Sequence, residues 1–313
     1  MEKKVTVVLS LLSAAFLLVV LATTLRVTTA FATPLVAITD AAVAIKNGDI
    51  LRRVPVNSGD EIGSLAKSIN EMAEKLSSDI DQLRRLERVR REFLGNVSHE
   101  LRTPIFAIQG YLETLLDGAV DDRAVNREFV TKAVRHAARL DALLSDLIEI
   151  SRIESGEMKL SFRYFSPGEL LAQVVEDMQP IAARKHVSLG YDAQCPDTVT
   201  VFGDKERIKQ VLVNLIDNGI KYTDAGGNVR CTVFPSGERF EIAVEDTGSG
   251  IPAEHQSRIF ERFYRVDRDR SREAGGTGLG LAIVKHIVEA HESTVQVTSE
   301  VGRGSRFSFH LKQ

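Results

Sequence analysis

The apolar residues of this chain follow three patterns in succession. Residues 5–25 form an apolar run without a charged side chain. Between residues 34 and 156, apolar positions recur every three or four residues, which is typical of amphipathic helices. Beyond residue 156, short apolar runs alternate with helical stretches, as in α/β layer domains. The pattern therefore predicts one membrane-crossing helix, a helical region and a C-terminal α/β domain.

Residues 5–25 are long enough for a transmembrane helix, since a helix of that length spans about 31 Å, roughly a bilayer core. A cleaved signal peptide is the alternative, because Ala30-Phe31-Ala32 resembles a small-residue cleavage site. Lys3 and Lys4 precede the run and favour a cytoplasmic N-terminus. The side of the membrane on which the remaining chain lies has to be inferred from the chemistry of its residues.

Two helical patterns flank an extended connector between residues 34 and 76. Proline is tolerated in a first helical turn, so Pro34 can begin the first helix, which Asn47-Gly48-Asp49 ends. Asp60-Glu61 begins the second, whose spacings of three and four residues are those of a dimeric coiled-coil seam. The stripe continues to Ile80 and Leu83, and the second successive spacing of four, from Leu76 to Ile80, is a stutter, which locally unwinds a coiled coil. The two stripes are Leu35, Ile38, Ala42, Ile45 and Ile62, Leu65, Ile69, Met72, Leu76.

A histidine occupies the exposed side of the next helix. Val97 and Leu101 share one helix face, and His99 lies about 200° away from them. Thr103, one turn later, returns to the face of His99. Pro104 has no N–H to donate, so a bend is predicted there. A surface histidine without function is the alternative interpretation of these residues.

This helix is predicted to end near Asp117-Gly118, and a second helix to cover about residues 123–155. A hairpin of two helices with one apolar stripe each buries little by itself, so two hairpins are expected to pair as a dimeric four-helix bundle. The second stripe comprises Val130, Val134, Ala137, Leu140, Leu144 and Leu147.

The C-terminal pattern predicts helices over 166–184, 205–222 and 280–290. Strands are predicted over 187–191, 229–234, 240–245, 294–299 and 305–311. The net charge of −3 gives no basic field for nucleic acid, so no nucleic-acid partner is expected. The two cysteines, Cys195 and Cys231, exclude a disulfide scaffold or a cysteine-rich zinc site.

Polar clusters in this domain suggest a nucleotide site. Asn214, Asn218 and Lys221 share a helix face, and amide oxygens beside an ammonium suit a Mg²⁺-bound phosphate chain. Asp246 follows a strand and is followed by Gly248 and Gly250, an arrangement that lets backbone and carboxylate meet a flat base. Considered separately, the alternative interpretation of the helix cluster is an ordinary polar helix face, and that of the Asp246 cluster is an ordinary turn.

An aromatic and cationic run, residues 260–265, leads into a charged stretch, 266–274, that is predicted to be a mobile lid. The glycine-rich residues 276–280 then begin a helix, which arrays backbone N–H groups for phosphate. They lack Gly-Lys-Ser/Thr, so they are not a Walker A loop.

Taken together, these motifs resemble those of a bacterial membrane sensor histidine kinase of the phosphate-sensor or HAMP-linked type. His99-Glu100-Leu101-Arg102-Thr103-Pro104 matches its H box, and residues 214–222, 246–252, 260–265 and 276–280 match its N, G1, F and G2 boxes in order. Asp60-Glu61-Ile62-Gly63 after a membrane span resembles a HAMP module. The resemblance implies a transmembrane helix (5–25), a HAMP domain (33–80), a dimerisation and phosphotransfer domain (81–156) and a GHKL-type ATP-binding α/β sandwich (160–313).

The resemblance also implies roles for individual residues. His99 accepts phosphate, Glu100 acts as its base, and Thr103 positions water for dephosphorylation of a response regulator. Asn218 ligates Mg²⁺, Asn214 supports phosphate or metal, and Asp246 binds adenine. The remaining ATP-binding residues are Lys221, Tyr222, Gly248, Gly250, Tyr264, Arg265, Gly276, Thr277, Gly278, Leu279 and Gly280.

ATP chemistry requires a cytoplasmic C-terminal part, so we predict an uncleaved span with the N-terminus outside, in the inner membrane, despite Lys3 and Lys4. Expected partners are a response regulator and a second copy of the chain. Two alternatives are a GHKL-type ATPase without histidine phosphotransfer and a non-catalytic HAMP signalling protein. Where the family has Gly-Gly before a strand, this chain has Glu292-Ser293, which predicts a strained turn with positive φ.

Overall fold

The computed structural model describes residues 2–56, 59–194, 199–266 and 276–313. The chain forms two compact units, Met1–Glu92 and Phe93–Gln313. The helices are α1 (Glu2–Val27), α2 (Thr33–Lys46), α3 (Glu61–Thr114), α4 (Asn126–Glu154), α5 (Pro167–Arg184), α6 (Lys205–Tyr222), α7 (Ala253–Gln256) and α8 (Gly280–Ala290). The strands are β1 (Arg163–Phe165), β2 (Ser188–Ala193), β3 (Val201–Gly203), β4 (Asn228–Ser236), β5 (Arg239–Asp246), β6 (Gln296–Glu300) and β7 (Gly304–Lys312).

In the first unit, α1 continues into α2 through a π-helical segment, Thr28–Ala32. Pro34 lies in the first turn of α2, as predicted, but the helical backbone continues into α2 from the segment before it. Proline is tolerated here because it falls in the first turn of α2, after a π turn in which the Thr33 N–H donates to the Thr28 carbonyl. The stretch Val5–Lys46 is long and apolar enough to cross a membrane, by length and composition.

A small core joins α2, the connector and the start of α3. Ile38, Ala41, Val54 and Ala66 are buried there. Asn70 fixes the connector, because its side chain accepts from the Val54 N–H (2.8 Å) and donates to the Val54 carbonyl (2.9 Å). Ala41 thus takes the inward position predicted for Ala42, which is exposed.

The predicted seam of α3 is only partly covered within one chain. Asp60 caps the helix, as its carboxylate accepts from the N–H groups of Ile62 and Gly63, both at 3.0 Å. Leu65, Met72 and Leu76 remain exposed. Leucine and methionine at coiled-coil spacing, left uncovered, fit the expected pairing with a second copy.

The second unit begins with a helical hairpin. Helix α3 passes through Pro104 without interruption and gives way to a π-helical turn, Leu115–Ala119, in which Gly118 has φ of 114°. The predicted helix end at Asp117-Gly118 is confirmed. On α4 the apolar residues divide: Leu143 and Ile150 are buried in the core shared with the α/β domain, while Val130, Val134, Leu144 and Ile148 are exposed.

The α/β domain is a sheet covered on one face by α5, α6 and α8. The strand order is β1-β3-β7-β5-β4-β2, with β6 also paired to β7, and the β2–β4 pair is parallel. Val229, Cys231 and Val233 alternate along β4 and are fully buried. Burial raises the pKa of the Cys231 thiol to about 12, so it stays protonated. This confirms the predicted α/β sandwich, to which the structure adds the short strands β1 and β3.

The turn between α8 and β6 contains the predicted strain. Glu292 has φ of 56°, a left-handed conformation disfavoured for residues with a Cβ. A hydrogen bond from the Lys312 ammonium lowers the pKa of the Glu292 carboxyl. That pair is exposed, so it contributes little to stability.

We expect Glu292→Gly to raise the thermal midpoint by about 2 °C relative to Glu292→Ala, because glycine adopts positive φ without a Cβ clash. Both variants lose the pair with Lys312, so their difference isolates the backbone. Calorimetry of the two variants measures it. A glycine variant that unfolds at or below the temperature of the alanine variant would contradict the strain.

Candidate active site

A cavity of about 310 Å³ opens on the α/β domain between α6, the end of β5 and the start of α8. Apolar side chains, among them Ile251, Ile259, Leu281 and Phe307, supply part of its wall and were not singled out from the sequence. Ile251 lies inside the motif at residues 246–252, and Ile259 and Leu281 flank the motifs at 260–265 and 276–280, whereas no motif adjoins Phe307. The predicted nucleotide residues that line the cavity are Asn218, Tyr222, Asp246, Gly250, Tyr264, Arg265, Gly278 and Gly280.

Asp246 is held with one oxygen facing backbone donors. Its Oδ1 accepts from the N–H groups of Gly248 (2.9 Å) and Ser305 (3.3 Å). Burial raises the pKa of the carboxyl, partly offset by these two hydrogen bonds. Since Oδ1 is engaged, Oδ2 is the oxygen left to accept a hydrogen bond in the cavity, such as one from an exocyclic amino group.

The glycines beside Asp246 are required by close backbone approach. A Cβ on Gly248 would lie 2.4 Å from the Tyr222 carbonyl oxygen, and one on Gly250 would lie 2.1 Å from that of Glu300. Gly304, which sequence reasoning missed, is as crowded, with a Cβ position 1.9 Å from the Asp246 carbonyl oxygen. These contacts pack the loop after β5 against the end of α6 and the end of β6, and they pack the start of β7 against the end of β5.

Helix α6 brings its two asparagines to different places. Asn218 lines the cavity, whereas Asn214 lies against the start of α8, where its Oδ1 is 3.4 Å from the Cβ position of Gly280. Lys221 does not line the cavity but pairs with Asp217, one turn back, at 2.6 Å. The expected contact of Lys221 with nucleotide stays a prediction, and it requires the ammonium to leave or to share this carboxylate.

The glycine-rich loop contacts the hairpin as well as the cavity. The Thr277 hydroxyl donates to Asp146 of α4 at 2.7 Å and accepts from the Leu279 N–H at 3.3 Å. Burial raises the pKa of the Asp146 carboxyl. Arg207 of α6 forms a second pair with Glu149, and the α/β domain therefore rests on α4.

Two further residues of this loop play parts other than direct lining. The Leu279 side chain is fully buried, so only its backbone is available to a ligand. The Gly276 carbonyl accepts a hydrogen bond from Arg265.

The aromatic run before this loop is held by a side-chain contact, since the Tyr264 hydroxyl lies 2.6 Å from His255 Nδ1. The predicted lid, residues 266–274, lies outside the described residues except for Val266.

The predicted histidine is exposed beside a carboxylate. The His99 side chain is 64% exposed, and its Nδ1 lies 4.0 Å from Glu100 Oε1. Thr103 is also exposed, and its hydroxyl donates to the His99 carbonyl at 3.3 Å. One face of α3 therefore presents an imidazole, with its Nε2 directed away from the carboxylate contact, and a neutral hydroxyl one turn along.

The cavity suits a nucleotide that brings its own cation. Within the described ranges, no group of three or more histidine, cysteine, aspartate or glutamate residues could hold a metal ion. Mg²⁺ retains waters and phosphate oxygens as ligands, so a single protein oxygen, the amide of Asn218, is a sufficient contribution. The donor set therefore fits Mg²⁺ bound to a phosphate chain.

Three parts of the chain match known domain families. Residues 26–78 match the HAMP domain, and residues 89–156 match the His Kinase A (phospho-acceptor) domain. Residues 203–313 match the histidine kinase-, DNA gyrase B- and HSP90-like ATPases.

The chain is also similar to whole sensor proteins. It is 36% identical over 236 residues to the phosphate regulon sensor protein PhoR of Pseudomonas aeruginosa, covering 75% of this chain and 53% of PhoR. It is 38% identical over 229 residues to the sensor-like histidine kinase SenX3 of Mycolicibacterium smegmatis, covering 73% and 59%. The chain thus spans somewhat over half the length of these relatives.

The chain is also similar to solved structures of histidine kinases. The histidine kinase AdeS of Acinetobacter baumannii matches with a TM-score of 0.55 and 27% identity, over 68% of this chain and 97% of AdeS. Full-length ShkA in complex with AMPPNP matches with a TM-score of 0.54 and 30% identity, over 71% and 46%. With its HAMP module, phosphoacceptor hairpin and ATPase-type domain in this order, the chain belongs to the HAMP-containing sensor histidine kinases.

Proposed function

We propose that this protein transfers the γ-phosphoryl group of Mg·ATP to His99 and then to an aspartate of a response regulator. The observation that carries the proposal is the combination, in one unit, of an exposed histidine–carboxylate pair and a nucleotide-sized cavity. Neither feature is sufficient alone, since many proteins have surface histidines and many ATPases have such cavities. Together they supply acceptor and donor.

In the first step, His99 Nε2 forms a bond to the γ-phosphorus while the bond from that phosphorus to the β,γ-bridging oxygen breaks, releasing ADP. Glu100, near Nδ1, stabilises the positive charge that develops on the imidazole and takes up its proton. Asp246 would orient the adenine, and Asn218 would hold Mg²⁺, which when bound would neutralise charge on the phosphates. Nε2 attacks through its ring lone pair, so the imidazole proton must lie on Nδ1, the nitrogen beside Glu100.

The domain organisation that supports this function is a transmembrane helix at 5–25, a HAMP domain at 33–80, a phosphotransfer domain at 81–156 and an ATP-binding domain at 160–313. We place the protein in the inner membrane with its catalytic part in the cytoplasm. The uncovered apolar faces of α3 and α4 support a homodimer.

The test is incubation of the full chain, in membrane vesicles, with Mg·ATP labelled at the γ-phosphate. We expect label on the protein that survives base and is lost in acid, the behaviour of a phosphoramidate. ATP hydrolysis without such label would favour the alternative GHKL-type ATPase. Absence of ATP binding would favour the non-catalytic HAMP protein.

A second activity, dephosphorylation of the regulator, is supported by the position of Thr103 on the face of His99. We expect Thr103→Ala to preserve autophosphorylation and to slow regulator dephosphorylation about tenfold or more, because a hydroxyl that orients water is lost. Decay of purified phosphorylated regulator in the presence of ADP measures it. Thr103→Ser, which keeps the hydroxyl, is the control, and equal decay with the alanine and serine variants would refute the role.

A further inference from the structure

Two arginines hold one oxygen of Glu100. Its Oε2 lies 3.5 Å from a terminal nitrogen of Arg139 and 3.4 Å from one of Arg265. The other oxygen, Oε1, lies 4.0 Å from Nδ1 of His99. The Glu100 side chain is only 17% exposed, although its neighbour His99 is largely open to solvent. One oxygen of the Glu100 carboxylate therefore faces two arginines, and the other faces the imidazole of His99.

The two arginines differ in their dependence on domain position. Arg139 lies on α4, in the same hairpin as Glu100 on α3. Arg265 belongs to the α/β domain and also donates to the Gly276 carbonyl beside the cavity. A movement of the α/β domain away from the hairpin would remove Arg265 from Glu100 but would leave Arg139 in place.

We propose that Arg139 is a positioning residue for phosphotransfer to His99, an inference that rests on the function proposed above. Arg139 binds Oε2 and so keeps Oε1 on the side of Nδ1 before and after the α/β domain docks. The terminal torsion of a glutamate is broad, so a carboxylate without such a partner samples many orientations. The Arg139 guanidinium restricts them, because its positive charge attracts one carboxylate oxygen, Oε2, through a contact at 3.5 Å.

The expected result is a loss in turnover and not in nucleotide affinity. Arg139 does not line the cavity, so Arg139→Gln should lower the maximal autophosphorylation rate about tenfold and leave the KM for Mg·ATP within about twofold of wild type. Arg139→Lys, which keeps a cation, should recover to within about threefold of wild type. Arg135→Gln, an exposed arginine one turn earlier on the same helix, is the matched control and should label at the normal rate.

A double-variant cycle separates positioning from general damage. If Arg139 acts through Glu100, adding Arg139→Gln to Glu100→Gln should change the remaining rate less than twofold. An unchanged rate in the single variant, an effect on KM alone, or a further tenfold loss in the Glu100→Gln background would each overturn the inference. Wild-type protein that takes no label would instead refute the proposed function, so the two failures are distinct.

Discussion

His99→Gln is expected to abolish labelling from γ-labelled ATP, a loss on the order of a thousandfold or more. A glutamine amide is not a nucleophile at neutral pH, and no other side chain of the H box offers an imidazole nitrogen. The substitution should leave the fold intact, because the His99 side chain is 64% exposed and its loss opens no cavity. Nucleotide affinity should also be unchanged, since His99 is not part of the cavity wall.

The measurement is labelling of full-length wild type and variant in the same vesicles, with ADP affinity determined on both. Glu100→Gln is the informative companion variant, because it removes the proposed base but keeps the proposed nucleophile. We expect it to retain labelling at a rate about a hundredfold lower. Equal labelling of His99→Gln and wild type would place the phosphoryl group elsewhere and remove the basis of the proposed function.

The parts of the fold with strong local signals could be predicted closely. Helices α6 and α8 begin and end at the predicted residues, Lys205–Tyr222 and Gly280–Ala290. For α6 the reason is visible: Asp204 accepts from the N–H groups of Glu206 and Arg207 and fixes the start. The positive φ of Glu292 was likewise predictable, because the family that the chain resembles has glycine at this turn.

The features that were missed depend on contacts distant in sequence. Strands β1 and β3 have three residues each, too few for a periodic signal, and exist because they pair with one another. The apolar stripe of α4 was predicted as a single face, but the α/β domain covers Leu143 and Ile150 and leaves Val134 exposed. No periodicity in α4 alone reveals which of its faces another domain will cover.

In the candidate site, too, some features could be predicted from the sequence and others could not. Gly250 and Gly278 line the cavity with positive φ and were recognised from the sequence, but the distant backbone that crowds Gly250, that of Glu300, was not. Two polar side chains have carboxylate partners that were not predicted: Lys221 pairs with Asp217, at a spacing of four residues that the sequence does show, and Thr277 pairs with the distant Asp146 of the hairpin. Binding of phosphate by these two residues would have to compete with the carboxylates that hold them in this arrangement.

Asp246→Asn is expected to remove nucleotide affinity without loss of stability. Asparagine Oδ1 can still accept from the N–H groups of Gly248 and Ser305, so the loop after β5 keeps its hydrogen bonds. The amide NH₂ would then occupy the place of Oδ2 and meet the adenine amino group donor to donor. Loss of a charge-assisted hydrogen bond, with an unpaired donor in its place, should weaken ADP binding about a hundredfold.

The raised pKa of the Asp246 carboxyl determines the sign of the stability change. Burial makes the folded protein bind this proton more tightly than the unfolded chain does, so the ionised group opposes folding above its folded-state pKa. This penalty diminishes as the pH falls through that pKa towards the unfolded value. At neutral pH the neutral asparagine carries no such penalty, and the free energy of unfolding should be equal to or higher than that of wild type.

Three measurements test the assignment of Asp246 as the residue that binds adenine. For wild type, ADP affinity should fall as the pH is lowered through the raised pKa, because the protonated carboxyl no longer accepts through both oxygens; for Asp246→Asn it should not vary for this reason. The variant should also shift preference from adenine towards guanine nucleotides, since its NH₂ can donate to the guanine O6. Calorimetric affinities for ADP and GDP, with denaturant unfolding of both proteins, measure all three effects. A variant that is destabilised, or that binds ADP as wild type does, would show that Asp246 holds the loop and does not read the base.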